Sequence, residues 1–246
     1  MSDFIDAFSF IGDNGQLMVD KVVTHLEVSA ISVLIAVAIG VPIGVWLGHL
    51  HRFSFLAINL SNIGRALPSL GVLAILLPFI GIGETAVVIA LVVLAFPPIL
   101  TNSYVAVDQV EPEVVDAAKG IGLRPMQVVS KVELPLALPL IFAGIRTSAV
   151  FVVATATLGG IFGGGGLGDI INDRESYGLQ GIIAASYLLI VMAFVSQALF
   201  IGLERLITPA GMKSARGTDS AARARRQAKL QGRSEETPTP ATSQAN

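Results

Sequence analysis

The run from Asp108 to Glu133 holds the residues whose types and spacing suggest a task. Glu111-Pro112-Glu113 opens a helix well, because proline is tolerated in a first turn and acids favour the positive helix end. Gly120 and Gly122 stop it. A short helix from Glu113 to Lys119 results, with Val114, Val115 and Ala118 on an apolar side and Glu113, Asp116 and Lys119 on a wet one. A lone helix this short is marginal in water, so it must dock on its own bundle or on a partner. Arg124-Pro125 opens a second helix, which runs into Leu134-Pro135.

Other constellations offer less chemistry. Cysteine is absent, which excludes disulfides and thiolate metal sites. The three histidines, His25, His49 and His51, have no accompanying acid cluster in sequence, and interfacial positions account for all of them without a metal. No Gly-Lys-Ser or Gly-Lys-Thr is present, so the chain lacks the loop that cradles nucleotide phosphates. Gly163 to Gly168 superficially resembles such a loop but has no lysine, and reads as a flexible turn. The chain is therefore expected to be no enzyme and to need no cofactor.

The elements that must position the 108–133 segment are membrane spans. Of 246 residues, 53% are hydrophobic and only 14% charged, against roughly 25% charged in an ordinary soluble domain. A spanning helix needs about 20 mostly apolar residues. Five runs qualify: Val28 to Gly48, Phe53 to Ile80, Thr85 to Val107, Leu134 to Phe162 and Ser176 to Leu203. The fold class is thus an all-α transmembrane bundle. Arg65 and Pro68 interrupt the second run and could split it into a surface segment and a shorter span.

Orientation follows from Lys and Arg, which favour the cytoplasm. His49 to Arg52, Lys119 to Lys131, and the basic stretch Lys213 to Arg233 alternate onto one face if the spans number five. The other face carries Asp3, Asp6, Asp13, Asp20, Glu84, Asp169, Asp173 and Glu175, against Lys21 and Arg174. These charges predict an external N-terminus, a cytoplasmic C-terminus and a cytoplasmic 108–135 loop. The start, Met1-Ser2-Asp3-Phe4, lacks the basic opening of a cleavable signal. Residues 1–211 form the expected membrane domain. Residues 212–246 change composition and form an expected basic, disordered tail.

The 108–135 loop resembles the EAA loop of bacterial ABC importer permeases. That pattern is Glu-Ala-Ala, three residues, Gly, nine residues, Ile, one residue, Leu-Pro. The chain reads Asp116-Ala117-Ala118, Gly122, Val132 and Leu134-Pro135, with every spacing kept and two conservative replacements. The resemblance implies a coupling helix seated in a cleft of a separate cytoplasmic ATPase. Glu113, Asp116, Ala117, Ala118, Gly122, Leu134 and Pro135 would be its coupling residues.

The likeness runs from about Thr24 to Gly211. Gly40-Val41-Pro42-Ile43-Gly44, Ala66-Leu67-Pro68-Ser69-Leu70, Phe96-Pro97-Pro98-Ile99-Leu100-Thr101-Asn102, Ala143-Gly144-Ile145-Arg146-Thr147 and Gly165-Gly166-Leu167-Gly168 are similar to quaternary-amine importer permeases. That family implies cargo such as glycine betaine, choline, carnitine or proline betaine. It also implies an extracytoplasmic binding protein, a second permease subunit and a bacterial plasma-membrane location, with no nucleic-acid partner. Methionine and other amino-acid importer permeases share the plan and compete with this reading. An ion-coupled secondary transporter would usually carry buried acids, which spans one, three and five lack, and a membrane scaffold would have no need of an ATPase dock.

Polar residues inside the spans divide two ways. Arg65 and Arg146 lie near the cytoplasmic ends and read as anchors. Asn102 and Tyr104 are candidates for the substrate path, although helix–helix hydrogen bonding would explain them equally well. Pro42, Pro68, Pro97 and Pro98 are expected to kink or break their spans.

Overall fold

The computed structural model describes residues 2–51, 59 and 68–207. Among these residues the secondary structure is helical throughout. Helix α1 is Ser2–Asp13, α2 Gly15–His49, α3 Ser69–Ile80 and α4 Glu84–Asp108. The 108–133 segment forms α5 (Pro112–Gly120), α6 (Pro125–Val128) and a π turn, Val129–Glu133. Helix α7 (Leu134–Thr155) passes into a 3-10 stretch, Ala156–Phe162, followed by α8 (Leu167–Asn172) and α9 (Arg174–Ile207).

Four stretches among the described residues are long and apolar enough to span: Gly15–His49, Glu84–Asp108, Pro125–Phe162 and Arg174–Ile207. Helix α3 is the described end of the predicted second span, and is apolar but short. Arg65 and most of the Phe53 to Leu67 stretch lie outside the described residues, so the proposed split of that span is answered only at Pro68. That proline does not kink a helix: it sits at φ −69°, ψ 119°, immediately before α3. Its fixed φ and missing N–H suit it to precede a first turn. Proline does occur inside helices at Pro42, Pro78, Pro97, Pro98 and Pro139.

The first span is longer than its apolar run. Helix α2 continues upstream of Val28 to Gly15 without a break, giving about 50 Å at 1.5 Å per residue. Its polar first turns are held by Lys21 pairing with Asp169 of α8.

Helices α2, α4 and α7 make the core, with Leu91, Ile99, Val107, Ile141 and Val152 buried among them. The α2–α4 contact is set by Gly40, Gly44 and Gly48, one every fourth residue. A Cβ on Gly44 would lie 2.6 Å from the Leu100 carbonyl oxygen, and one on Gly48 2.7 Å from that of Tyr104. The two backbones therefore touch, the arrangement small residues permit where lipid removes any hydrophobic drive between helices.

A second cluster joins Met18, Val153, Leu167, Ile170, Ala184 and Ala185, with Phe10 and Ile11 of α1 against it. Helix α9 turns through Gly178, at φ 64°. Beyond that turn Ile190, Val191, Phe194, Val195 and Leu199 are exposed, an apolar stripe suited to a lipid solvent.

Candidate functional site

The connection between α4 and α7 folds as a small unit with a core of its own. Pro112 opens α5 in the first helical turn and Glu113 follows it. Gly122 turns the chain at φ 87°, in the left-handed region that costs glycine least. Gly120 is the last residue of α5, so of the two predicted stops only Gly122 adopts the special geometry. Pro125 opens α6, where the Gln127 side-chain oxygen accepts the Arg124 N–H at 2.9 Å.

Val110, Val115, Ala118 and Val128 pack together, with Leu123 and Val132 at their margin. The expected apolar side of α5 is thereby narrowed. Val115 and Ala118 face inward, whereas Val114 is 39% exposed, because the returning arm covers only one edge of the helix. Glu113, Asp116, Ala117 and Gly122 are exposed. Lys119 lies 3.5 Å from Asp116 on the surface. The structure thus divides the predicted coupling residues. Asp116 and Ala117 offer a surface, Ala118 builds the floor beneath it, and Gly122 shapes its edge. Leu134 and Pro135 lie at the start of α7, half-buried.

Two exposed residues were not singled out from sequence. Ile121 is 80% exposed and Met126 66%. Val114 and Ala117 of the same segment are exposed as well, as are the charged Glu113, Asp116, Lys119 and Arg124. Protein interfaces combine apolar residues with a polar rim. The available signal was Ile121 between two glycines, where the chain turns and no helix face can cover it.

The opposite end of the bundle is organised differently. Gly163, Gly165 and Gly166 lie at φ 73°, 73° and 75°. They rest on their surroundings: a Cβ at Gly163 would meet Ile82, at Gly165 Thr24, and at Gly166 His25. The run expected to be a flexible turn is therefore a bedded one. His25, read as an interfacial residue, is 1% exposed, with Nε2 2.8 Å from the Val153 carbonyl oxygen.

Arg146 donates to Glu204 at 2.8 Å, tying α7 to α9. A partly buried guanidinium so paired serves as an anchor, not as a free charge. Asn102 donates its amide to the Pro98 carbonyl and lies against Gly144 of α7. Tyr104, one of the largest fully buried side chains, lies on α4 where Gly48 of α2 approaches. A groove of about 490 Å³ between α2, α7 and α9 is lined mainly by apolar side chains, Val33, Val153 and Val195 among them, with Ser29 and Ser196 its polar residues. With Phe200 as its single aromatic and no carboxylate, it lacks the aromatic box that recognises a quaternary ammonium.

Apolar spans in this number, joined by a folded connection with exposed apolar side chains, define a multi-pass membrane protein. Residues 40–210 match the family described as the binding-protein-dependent transport system inner membrane component, and the chain belongs to it. Among its relatives, the choline transport system permease protein OpuBB of Bacillus subtilis is 38% identical over 205 residues, covering 83% of this chain and 94% of that one. The carnitine transport permease protein OpuCB of Listeria monocytogenes is 33% identical over 209 residues, 85% and 96% of the two chains. Among solved structures, an inward-facing MetNI methionine ABC transporter chain superposes with a TM-score of 0.71 at 26% identity, covering 79% of this chain and 97% of that one.

Proposed function

We propose that this chain is the permease subunit of an ATP-binding-cassette importer that moves a quaternary-amine osmoprotectant across the plasma membrane. Choline, glycine betaine, carnitine and proline betaine are the cargo class. The observation that carries the cargo reading is the 33–38% identity, over more than four-fifths of each chain, to permeases named for choline and carnitine. The second reading, a methionine importer permease, is favoured by the MetNI likeness but at lower identity.

The coupling face is the tip of the 108–135 segment. Glu113, Asp116, Ala117 and Gly122 would meet a cytoplasmic ATPase, with Ile121 and Met126 as apolar anchors. Ala118, Leu134 and Pro135 would hold the segment in shape. This assignment requires the segment to be cytoplasmic, with the N-terminus outside and the C-terminus inside. An external binding protein delivers cargo, and a second permease subunit closes the path. Asn102 and Tyr104, at the buried junction of α2, α4 and α7, are the proposed path residues. Residues 212–246 form a basic cytoplasmic tail beyond the membrane domain. ATP closure of the ATPase pair would bias a two-state equilibrium through this face.

The test is uptake by vesicles holding the chain with its ATPase and binding protein. Labelled choline or glycine betaine should enter only with ATP, and unlabelled carnitine should compete while methionine does not. Competition by methionine alone would transfer the assignment to the second reading. Uptake driven by an ion gradient without ATP would defeat both.

A further inference from the structure

The turn that ends α2 reaches both feet of the coupling segment. His49, the last residue of α2, directs Nδ1 at Glu133, 2.8 Å from Oε2 and 3.0 Å from Oε1. Ionised, a carboxylate only accepts, so the imidazole N–H donates. Glu133 is 1% exposed and closes the π turn at the head of α7. Two residues on, His51 Nδ1 lies 3.0 Å from Asp108 Oδ1, at the last residue of α4. The coupling segment lies between those two acids, so each foot carries one carboxylate and each carboxylate meets one histidine of the same turn.

Three further features point the same way. His51 sits at φ 48°, and among the described residues it is the only non-glycine at positive φ. An L residue in that region costs about 1–2 kcal/mol, and such outliers persist where surrounding contacts over-determine them. Gly48, next to His49, has no room for a Cβ because the Tyr104 carbonyl and Val107 occupy it. Finally, a side chain as deeply buried as that of Glu133 requires a hydrogen-bonding partner to offset its lost hydration.

We infer that the His49-Leu50-His51 turn is a double clasp which fastens the coupling segment to the first span, so that the two move as one body. His49 and His51 are positioning residues, transmitting displacement of α5 into α2 while touching neither ATPase nor cargo. The inference deepens the proposed function and rests on it for its transport readout.

The test uses the assembled importer in vesicles and measures ATP hydrolysed per substrate imported. In His49→Phe/His51→Phe that ratio should rise about threefold or more, within the range produced by changes along a coupled network. His49→Gln keeps an N–H for Glu133 and should stay near the parent ratio. Because the chain contains no cysteine, His51→Cys/Asp108→Cys can be oxidised to replace the outer contact by a covalent one, and should then import normally.

A parent ratio in the double phenylalanine variant overturns the clasp. So does an oxidised pair that blocks import while its reduced form permits it, since that contact would have to open during the cycle. If the phenylalanine variant does not assemble, the oxidised pair decides. If the parent complex imports nothing with ATP, the proposed function fails, and hydrogen exchange over residues 109–132 of the full chain decides the clasp instead. Faster exchange in the double variant supports it, and unchanged exchange overturns it.

Discussion

The two ends of the bundle solve one problem by opposite means. Both connect spans with irregular chain that must hold its shape. The connection between α4 and α7 does so with side chains: a small valine core, and His49 and His51 reaching across to Glu133 and Asp108. The connection after α7 does so with bare backbone. A Cβ on Gly160 would lie 2.2 Å from the carbonyl carbon of Gly168, and one on Gly168 2.2 Å from the Thr157 carbonyl oxygen. The first end is therefore held by individual side-chain contacts, each of which a substitution can remove singly. The second is a contact with no slack. Glycine serves handedness alone at Gly122, and proximity at Gly160 and Gly168.

Substitutions can break this contrast, and the largest effect falls between the ends. Gly44→Leu drives a side chain into the Leu100 carbonyl and Ser103. Overpacking of this kind costs roughly 1–3 kcal/mol or more, and here both neighbours are fixed. The expected outcome is loss of monodisperse protein after detergent extraction, read by size-exclusion chromatography.

Next, Gly160→Ala should lower the thermal midpoint for a purely steric reason, while Gly120→Ala, which meets nothing within 4 Å and is not at positive φ, should leave it unchanged. Equal midpoints for the two variants would erase the proposed difference between the ends.

Gly122→Val tests handedness alone, because open space surrounds its Cβ position. Strain of about 1–3 kcal/mol should loosen the segment and uncouple ATP hydrolysis from uptake, with the bundle itself retained. Ile121→Asp should spare folding and weaken co-purification of the ATPase about tenfold, as loss of an interface anchor does.

The smallest effect concerns Asp173, at the head of α9. Its carboxylate accepts the Ser176 N–H at 3.0 Å. The Ser176 side chain, then its backbone, holds the Asp173 carboxyl below its ordinary value of 3.8. A group lowered on folding contributes fully above its unfolded value, and that contribution is lost as pH falls through the lower folded one. Amides of residues 174–177 should therefore exchange faster only in acid, below about pH 4, and Asp173→Ala should show that fraying already at neutral pH.

Much of this was legible in the residues, and what was not has physical reasons. Long uncharged runs located the spans, because lipid demands about 20 apolar residues in a row. The length of α2 was not legible, since its first turns are polar and are held by Lys21 meeting Asp169, a partner 148 residues away. Helix α5 emerged closely, as Pro112–Gly120 against an expected Glu113 to Lys119, because proline and glycine act locally. Which of its side chains face inward depended on Val128, from the returning arm, and so Val114 was assigned to the wrong side. The Gly40-Gly44-Gly48 spacing was visible in the sequence, but its partner on α4 was not. The histidine contacts escaped for the same reason: His49 and Glu133 are separated by 84 residues, and neither shows a pattern alone.

Helix α2 has a mechanical meaning beyond packing. It meets Glu133 through His49 at its C-terminal end and the carbonyl of Val153 through His25, ten residues inside its start. Those histidines are about 36 Å apart along a helix rising 1.5 Å per residue. Such a helix is a tie rod between two bearings, with a proline between them only at Pro42. One bearing is lined by glycine backbone, where Gly166 lies against His25, and the other is made of side chains.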